Sequence, residues 1–431
     1  MRFSKILLLA GAVSFLGIEA FTPGYLRAQA VAPIPQVQQI NPTDLFQDIP
    51  LGQPSAQNYY APATLLGNYA ASLPGNNPTN DLIGGDFTSN LYQDGATVST
   101  ITTTVTYVAD QWFAFSGTST TLGGAEETGA ADIPAGYGAS ERLTRSGSGV
   151  IQSCVAQIVP YDNVLRYQGQ TAEFDFHALA GAGFSAAGSN LSVLIVTGTG
   201  TNDSAVNLGK TVNSALAGTA WAGAATSTVL VPISASWNRY SVVAPIPATA
   251  TELAVAICWT PVGASPSSDY FEFTGAQLVP NNALTTVAGT AGAALNVNDP
   301  RAKTFLRRPQ MLETNLQLAF YWRQTETASA TSIYGVCQGL ASTTAANCLI
   351  NFPVPMFKIP TFAYTAGTIQ ATVNTAGAAA AVTSMVINAT LGATVYTANM
   401  TATVTSAATI TGFLEAGNST GGGKLAFSAR F

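Results

Sequence analysis

The chain has 431 residues, enough for two or three domains with buried cores, and 9% of its residues are charged whereas 47% are hydrophobic. Its formal net charge is −6, and no cluster of Lys and Arg is present that could neutralise phosphates, which excludes a nucleic-acid-binding protein. With 20 Phe, 15 Tyr and 5 Trp, it is too aromatic for a disordered chain, and the composition favours sheets covered by hydroxyl groups.

The first 30 residues have the pattern of a secretory signal. Arg2 and Lys5 give a positive start, residues 6–18 form an apolar stretch too short to span a bilayer, and residues 28–30 (Ala-Gln-Ala) form a small-x-small cleavage site. We predict a signal peptide over residues 1–30 and an exported protein; a buried N-terminal helix is the alternative. No later apolar stretch is long enough for a transmembrane helix, so we predict none in the mature chain.

The next two regions differ in composition. Residues 31–79 are rich in Pro, Gln and Asn, which predicts an extended N-terminal arm; a disordered leader without a role is the alternative. From residue 80 to residue 282, short segments of β-type sequence are separated by turn residues. This spacing, with no helical period between the segments, predicts an antiparallel jelly-roll β-sandwich.

One of these segments shows the alternation clearly. In the stretch from Thr171 to Ala178, the residues Phe174 and Phe176 point to one face, which we assign to the core. Glu173, Asp175 and His177 point to the other face, which we interpret as solvated.

The last third of the chain begins with a linker. Residues 283–325 include Leu312, Leu316 and Phe320 at helical spacing, which predicts a short connecting helix. From 326 to 431 the alternating and β-branched segments resume, and they predict a second, smaller β-sandwich domain. The predicted fold is therefore all-β.

Four cysteines allow three disulfide pairings in an exported protein: Cys154, Cys258, Cys337 and Cys348. Pairing Cys154 with Cys258 and Cys337 with Cys348 is the arrangement that keeps each bridge within one predicted domain. Four buried free thiols are the alternative.

Several segments, in their order along the chain, are similar to a known structural family. They are Asn80–Phe87, Ala109–Phe113, Gly169–Ala178, Ser234–Tyr240, Tyr270–Leu278, Phe305–Pro309, Phe320–Arg323 and Phe352–Met356. Together they resemble the carbohydrate-binding-module-like jelly rolls, and the C-terminal β domain that follows them, in phage tail and head fibre proteins. The resemblance covers residues 80–431. It implies a structural or decoration protein of the virion surface that forms a homo-oligomer, with a trimer expected, and contacts virion proteins or surface glycans.

The same resemblance implies a site for structural calcium. Modules of this kind often bind calcium near their first and last strands, and Asp86 and Glu272 are the oxygen ligands expected there. We predict no other cofactor.

We find no residue pattern that predicts catalysis. His177 is the single histidine, so one chain cannot form a zinc site with two His ligands. The acidic pairs Glu126-Glu127 and Glu173/Asp175 are of a type common on solvated strand faces. We therefore predict that the protein is not an enzyme; a polysaccharide-acting enzyme is the less favoured alternative.

Glycan binding is the chemistry that the sequence favours. Sugar rings stack on exposed aromatic side chains, and Trp221 and Tyr137 lie in loop-like segments. The alternative for Trp221 is that it folds back onto the sandwich, whereas Trp112, Trp237 and Trp259 lie in strand-like segments and are assigned to the core. The signal-like start favours a second interpretation of the whole chain, a secreted bacterial glycan-binding adhesin.

Overall fold

The structure is a computed structural model, and the residues that it describes form two compact units. The units are Met1–Pro78 and Thr79–Phe431. The described residues are 45–48, 59–62, 80–117, 120–129, 133–201, 204–263, 268–281, 294–295, 304–325, 333–339, 343–364, 369–371, 380–408, 411–416 and 424–431. The predicted signal peptide and most of the predicted arm lie outside them.

In the first unit the described residues form one antiparallel pair of strands, β1 (Leu45–Asp48) and β2 (Tyr59–Pro62). The second unit is almost entirely antiparallel β-structure, which confirms the predicted all-β fold class. No helix among the described residues is long and apolar enough to cross a membrane.

Two stacked sheets make up the jelly roll of the second unit. Their strands are β3 (Thr97–Ile101), β4 (Thr106–Tyr107), β5 (Phe113–Ser116), β6 (Leu122–Glu127), β7 (Ser140–Arg145), β8 (Ser153–Val159), β9 (Thr171–Ala180), β10 (Asn190–Gly198), β11 (Ala225–Pro232), β12 (Asn238–Pro245), β13 (Glu252–Trp259), β14 (Tyr270–Pro280) and β15 (Ala294–Leu295). One sheet has six strands in the order β11-β10-β13-β8-β5-β4. The other has seven, in the order β15-β12-β9-β14-β7-β6-β3.

The core of the jelly roll lies between these two sheets. Phe174 and Phe176 of β9 contribute to it from the seven-stranded sheet, and Trp259 of β13 contributes from the six-stranded sheet. Because side chains alternate along a strand, this inward set fixes which residues of β9 face the other way.

The opposite side of the six-stranded sheet is also covered. Helix α2 (Ala205–Val212), in the connection between β10 and β11, lies on this side. Helix α1 (Tyr161–Val164), which follows β8, instead contributes Val164 to the core between the sheets. Leu208 of α2 and the later Trp221 pack in a second apolar cluster against residues of β5, β8, β10 and β13.

The C-terminal part of the second unit begins with helix α3 (Gln310–Phe320), close to the predicted connecting helix. The strands that follow are β16 (Tyr321–Thr325), β17 (Ile333–Gly339), β18 (Thr343–Asn351), β19 (Thr361–Tyr364), β20 (Ile369–Ala371), β21 (Ala380–Ile387), β22 (Thr397–Ala408), β23 (Thr411–Ala416) and β24 (Lys424–Ser428). Six of them close into a ring in the order β17-β18-β22-β21-β20-β23, and β16-β24-β19 form a three-stranded sheet beside it.

This arrangement is more specific than the sandwich that the sequence predicts for residues 326–431. The pairing that closes the ring joins β17 to β23, so strands far apart in sequence become neighbours. A period-two pattern predicts which face of each strand is buried but not which strand pairs with it. It therefore does not distinguish a closed sheet from two stacked sheets.

Two disulfides link neighbouring antiparallel strands. Cys154 of β8 bonds to Cys258 of β13, and Cys337 of β17 bonds to Cys348 of β18. All four residues are buried. Each bridge therefore stays within one of the two predicted β domains.

Candidate functional site

The outward side of the seven-stranded sheet carries a row of polar side chains, and we call it the outer face. Glu173, Asp175 and His177 of β9 lie on it because Phe174 and Phe176 take the inward positions. The register of the sheet places Arg239 of β12 beside His177 on one side and Thr274 of β14 on the other. One row further along, Gln277 and Ser241 flank Asp175.

The two acids of β9 are buried rather than solvated, because neighbouring side chains cover them. Glu173 and Asp175 are both 0% exposed, which corrects the prediction of a solvated face. Arg239 Nε donates to Asp175 Oδ1 at 2.9 Å, and Arg239 Nη2 lies 2.5 Å from the other carboxylate oxygen. Ser241 donates to Glu173 Oε1 at 2.8 Å, and Asn281 donates to Glu173 Oε2 at 2.7 Å.

A cluster of rings sits beside these acids, and its members are half-buried. The ring of Tyr137 lies 5.1 Å from that of His177 and 5.4 Å from that of Phe305, centroid to centroid. The guanidinium of Arg307 lies 5.8 Å from the centre of the Tyr137 ring. The structure thus brings the predicted Tyr137 onto the outer face. We call Tyr137, His177, Phe305, Arg239 and Arg307 the ring cluster.

Burial shifts the protonation of the groups in and beside the ring cluster. It raises the pKa of Asp175 to about 7, although Arg239 acts in the opposite direction. Burial, followed by the positive charge of Arg239, lowers the pKa of His177 to about 4, so this imidazole is neutral at pH 7. Burial also raises the pKa of Tyr137 to about 12. The cluster therefore offers a neutral imidazole, a phenol and a guanidinium for hydrogen bonding.

A segment from the linker crosses part of the outer face. Leu306 N–H donates to Gln277 Oε1 at 2.9 Å, and Gln277 Nε2 donates to the carbonyl of Thr304 at 3.2 Å. Arg307 in the same segment donates to the carbonyl of Gly136 at 2.7 Å. These contacts bring Phe305 and Arg307 into the ring cluster and help to bury the neighbouring polar groups.

A second polar group continues the outer face across β14 and β7. Arg142 Nε donates to Glu272 Oε1 at 2.8 Å, and its Nη1 lies 2.6 Å from Glu127. The Arg142 guanidinium also stacks over the ring of Tyr270, 4.5 Å from the ring centre. Ser140 donates to the second oxygen of Glu272 at 3.1 Å. Arg142, Glu127 and Tyr270 are partly exposed, so this group extends the accessible polar surface.

The structure does not support the predicted calcium ligands. Glu272 is engaged by Arg142, and Asp86 forms an ion pair with Arg307 at 3.0 Å. Burial raises the pKa of both carboxyl groups, and the arginines act against that rise. Within the part of the chain that the structure describes, no three His, Cys, Asp or Glu side chains cluster closely enough to hold a metal ion. Arginine guanidinium groups occupy the positions where the resemblance implies a cation.

The prediction that Trp221 is an exposed sugar-stacking residue is wrong. Trp221 is 4% exposed and packs with Leu208 and Phe115 against the six-stranded sheet. The signal that could have indicated this is the amphipathic segment Ala205–Val212, which forms a helix and carries the following loop back onto the sheet.

Sequence reasoning misses one residue of the outer face, Arg239. The sequence prediction gives Arg239 no role beyond its place in a strand, although a cation diagonally across from an acid on the neighbouring strand is a common cross-strand pair. Sequence reasoning also assigns Trp237 to the core, yet Trp237 is half-buried and directly precedes β12. The predicted core residues Trp112 and Trp259 are both 0% exposed.

Carbohydrate-binding modules are among the solved structures that match this chain. A family 11 carbohydrate-binding module from Clostridium thermocellum, solved with a β-1,3-1,4-mixed-linked tetrasaccharide, is 10% identical with a TM-score of 0.25 and covers 39% of this chain and 89% of that chain. A xylan-binding family 22 module is 13% identical with a TM-score of 0.25 and covers 45% of this chain and 99% of that chain.

A phage protein is also among the matched structures. The enzymatically active domain of bacteriophage CBA120 tailspike protein 4 is 10% identical with a TM-score of 0.27. The match covers 47% of this chain and only 21% of that chain, so about a fifth of the tailspike domain is matched. No protein-family model and no curated protein matches the sequence.

Proposed function

We propose that the protein binds glycans through the ring cluster on the outer face, and that it does so without turnover as a surface or fibre-type protein. The observation that carries the proposal is the ring cluster itself. It combines partly exposed rings with neutral and charged hydrogen-bonding groups on a rigid sheet, which is the combination that a sugar requires.

The rigidity of the site supports this proposal. Arg239 is held by Asp175, and Arg307 by Asp86 and the carbonyl of Gly136, so these guanidinium groups are oriented before any ligand arrives. Groups that are already fixed lose little conformational entropy on binding. The remaining edges of His177 and Tyr137 can then donate to or accept from sugar hydroxyls.

The first experiment is a glycan array with the purified full chain, followed by affinity measurements on the best-retained glycan. We expect His177→Ala and Phe305→Ala each to lower affinity at least tenfold, since recognition of a sugar by a small cluster depends on a few rings and donors. The matched control is Tyr161→Ala. Tyr161 is 42% exposed and lies in α1, directly after β8 of the six-stranded sheet, so it is not a member of the ring cluster. Retention of no glycan, or equal affinity for wild type and both outer-face variants, would contradict the proposal.

The proposal that the protein is not an enzyme has its own support. The acids of the outer face are held in pairs or hydrogen bonds: Asp175 by Arg239, Glu272 by Arg142, and Glu173 by Ser241 and Asn281. A glycosidase needs one carboxyl group free to protonate the leaving oxygen and a second facing the sugar across a cleft. Incubating the protein with a polysaccharide panel tests this: release of reducing sugar that Glu173→Gln abolishes would overturn it.

The more specific role that we propose is that of a phage fibre or decoration protein on the virion surface, forming a homo-oligomer. It is supported by the order of the motifs between residues 80 and 431. A secreted bacterial adhesin remains the alternative, favoured by the signal-like residues 1–30. Mass spectrometry of the N-terminus of the natural protein separates the two: an intact Met1 supports virion assembly, and a chain that starts at Val31 supports export.

A further inference from the structure

The ring cluster exposes its cations and buries the acids that pair with them. The Arg239 side chain is 21% exposed, whereas that of its partner Asp175 is 1% exposed. The Arg307 side chain is 49% exposed, whereas that of its partner Asp86 is 8% exposed. A molecule that approaches this part of the outer face therefore meets two guanidinium groups before it can reach either carboxylate.

The two guanidinium groups come from opposite sides of β9. Arg239 lies on β12, which pairs with one edge of β9 and places Arg239 directly beside His177. Arg307 belongs to the linker segment that is hydrogen-bonded to Gln277 of β14, and β14 pairs with the other edge of β9. The strands β12 and β14 are two strand spacings apart, about 10 Å. A ligand that covers the rings is therefore in reach of both cations.

The acids around the ring cluster are either buried or distant. Glu173 is 0% exposed and accepts hydrogen bonds from Ser241 and Asn281. Glu127 is partly exposed, but it lies on β6, three strands away from β9, and it pairs with Arg142. Among the residues that the structure describes, the ring cluster thus presents positive charge with no exposed carboxylate beside it.

This distribution of charge favours an acidic sugar over a neutral one. The hydroxyl groups of a neutral sugar donate hydrogen bonds as well as accept them, so a site for such a sugar needs exposed acceptors. The carboxylates of the cluster are instead engaged by arginines. A sugar carboxylate only accepts hydrogen bonds, and the planar guanidinium group is the donor that matches its two oxygens. A guanidinium group has five N–H donors, and the described partners of Arg307 engage its Nε and Nη2 atoms.

We propose that the glycan bound at the ring cluster is acidic, and that Arg307 and Arg239 bind its carboxylate groups. This inference rests on the proposed function, because it names the class of sugar that the same site binds. The net charge of the chain, −6, repels a polyanion at long range. Binding of an acidic glycan by this chain therefore reports the local pair of guanidinium groups and not a general attraction.

The test compares acidic polysaccharides with their own carboxyl-reduced forms, in which each carboxylate has become a primary alcohol. The probes are polygalacturonate, alginate, hyaluronate and polysialic acid, and affinity electrophoresis of the full chain gives the dissociation constants. We expect at least one acidic polymer to bind at least tenfold more tightly than its reduced form, since the two share their rings and linkages and differ in charge. Dextran sulfate, a polyanion without carboxylates, should bind no more tightly than the reduced polymers.

Two variants test the role of Arg307, whose exposure makes its replacement a small risk to the fold. Arg307→Gln should bind the acidic polymer at least tenfold more weakly and leave the affinity for the reduced polymer unchanged. Arg307→Lys keeps the charge without the planar group and should lose less. Lys210→Gln is the matched control, because it removes one positive charge from α2, which packs on the other sheet of the jelly roll. It should bind like the wild type.

The outcomes separate this inference from the proposed function. Equal affinity for the acidic and reduced polymers, weakened alike by His177→Ala, would overturn the acidic-glycan proposal and leave glycan binding standing. Retention of neutral glycans alone on the array would do the same. Dextran sulfate bound as tightly as the best carboxylated polymer, or equal affinity of Arg307→Gln and the wild type, would contradict the assignment of the carboxylate to Arg307. Binding of no glycan at all would overturn both proposals.

Discussion

Glu141 is an acid buried in the jelly roll with no cation beside it in the described structure. It is 0% exposed on the inward face of β7, directly opposite Glu126 of β6, and Tyr92 Oη donates to its Oε2 at 3.4 Å. Burial raises the pKa of Glu141 well above its ordinary 4.5, and the charges of Glu126 and Glu127 add to the rise. Folding therefore favours the protonated carboxyl group.

This shift makes stability depend on pH. Because the pKa is raised in the folded state, the contribution of Glu141 is most favourable below pH 4.5 and is lost as the pH rises toward the raised value. Each pH unit in that window is worth about 1.4 kcal/mol. We predict that Glu141→Gln raises the melting temperature at pH 8 and changes it little at pH 4, as measured by calorimetry. Glu127→Gln, at the partly exposed ion pair with Arg142, is the control and should show no such pH-dependent gain.

The residues of the outer face show which properties of a single residue the sequence predicts and which it does not. The alternation in β9 predicts that Glu173 and Asp175 share a face, and the structure places them so. Their burial cannot be predicted from alternation, since it depends on Arg239 of another strand and on groups as distant as Asn281. The exposure of a side chain is a property of its neighbours in space, and a single sequence does not contain their positions.

At the scale of elements, a bulge in β14 positions the ring cluster. The register between β9 and β14 shifts between Thr274 and Gln277, and Gly275 within the shift has a φ of +63°. A Cβ atom at Gly275 would lie 2.5 Å from the hydroxyl oxygen of Tyr137. Glycine is thus required there twice, for the backbone conformation and for the close approach of the tyrosine.

We predict that Gly275→Ala displaces Tyr137 and destabilises the protein by about 1–3 kcal/mol through backbone strain and the steric clash. Chemical denaturation measures the stability, and affinity for the retained glycan measures the displacement. Gly392→Ala is the matched control, since Gly392 has a φ of +64° and a Cβ atom added there would meet nothing within 4 Å. It should cost only the backbone strain. Equal losses for the two variants would argue against a role of the Tyr137 contact.

The strands themselves are largely predictable, because half-buried strands carry a period-two pattern. The alternation in Thr171–Ala178 predicts a strand, and the structure has β9 there. The stretch Thr100–Tyr107 has the composition of one continuous strand, yet the structure divides it between β3 and β4, which belong to different sheets. The pattern of hydroxyl and apolar residues continues where the chain passes from one sheet to the other. It therefore does not show where β3 ends and β4 begins.

At the scale of the whole second unit, Arg430 fastens the C-terminal strands to the jelly roll. Its guanidinium lies 4.1 Å from the ring centre of Tyr107 and 3.6 Å from that of Tyr321. It also contacts Asp94 at 2.5 Å and donates to the carbonyl of Asp110 at 2.9 Å. The side chain is 7% exposed, so these interactions are little screened by solvent.

We predict that Arg430→Ala uncouples the two parts of the unit. The loss of a partly buried ion pair and two ring contacts should cost about 2–3 kcal/mol. Calorimetry should then show two unfolding transitions in place of one, because the jelly roll and the C-terminal strands have separate cores. Lys210→Ala, at a partly exposed residue of α2, is the control and should leave a single transition. A single, unshifted transition for Arg430→Ala would show that other contacts couple the two parts.

The disulfide between β8 and β13 also determines how the chain would respond to a mechanical load. Cys154 and Cys258 are 104 residues apart in sequence yet lie on adjacent strands. A force applied to the two chain ends would therefore be carried by the disulfide and not by the residues between the two cysteines. Those residues could not be pulled straight, so the stretched chain would be shorter by on the order of 350 Å. A protein that tethers two surfaces would in this way resist stretching even after its sheets had begun to separate.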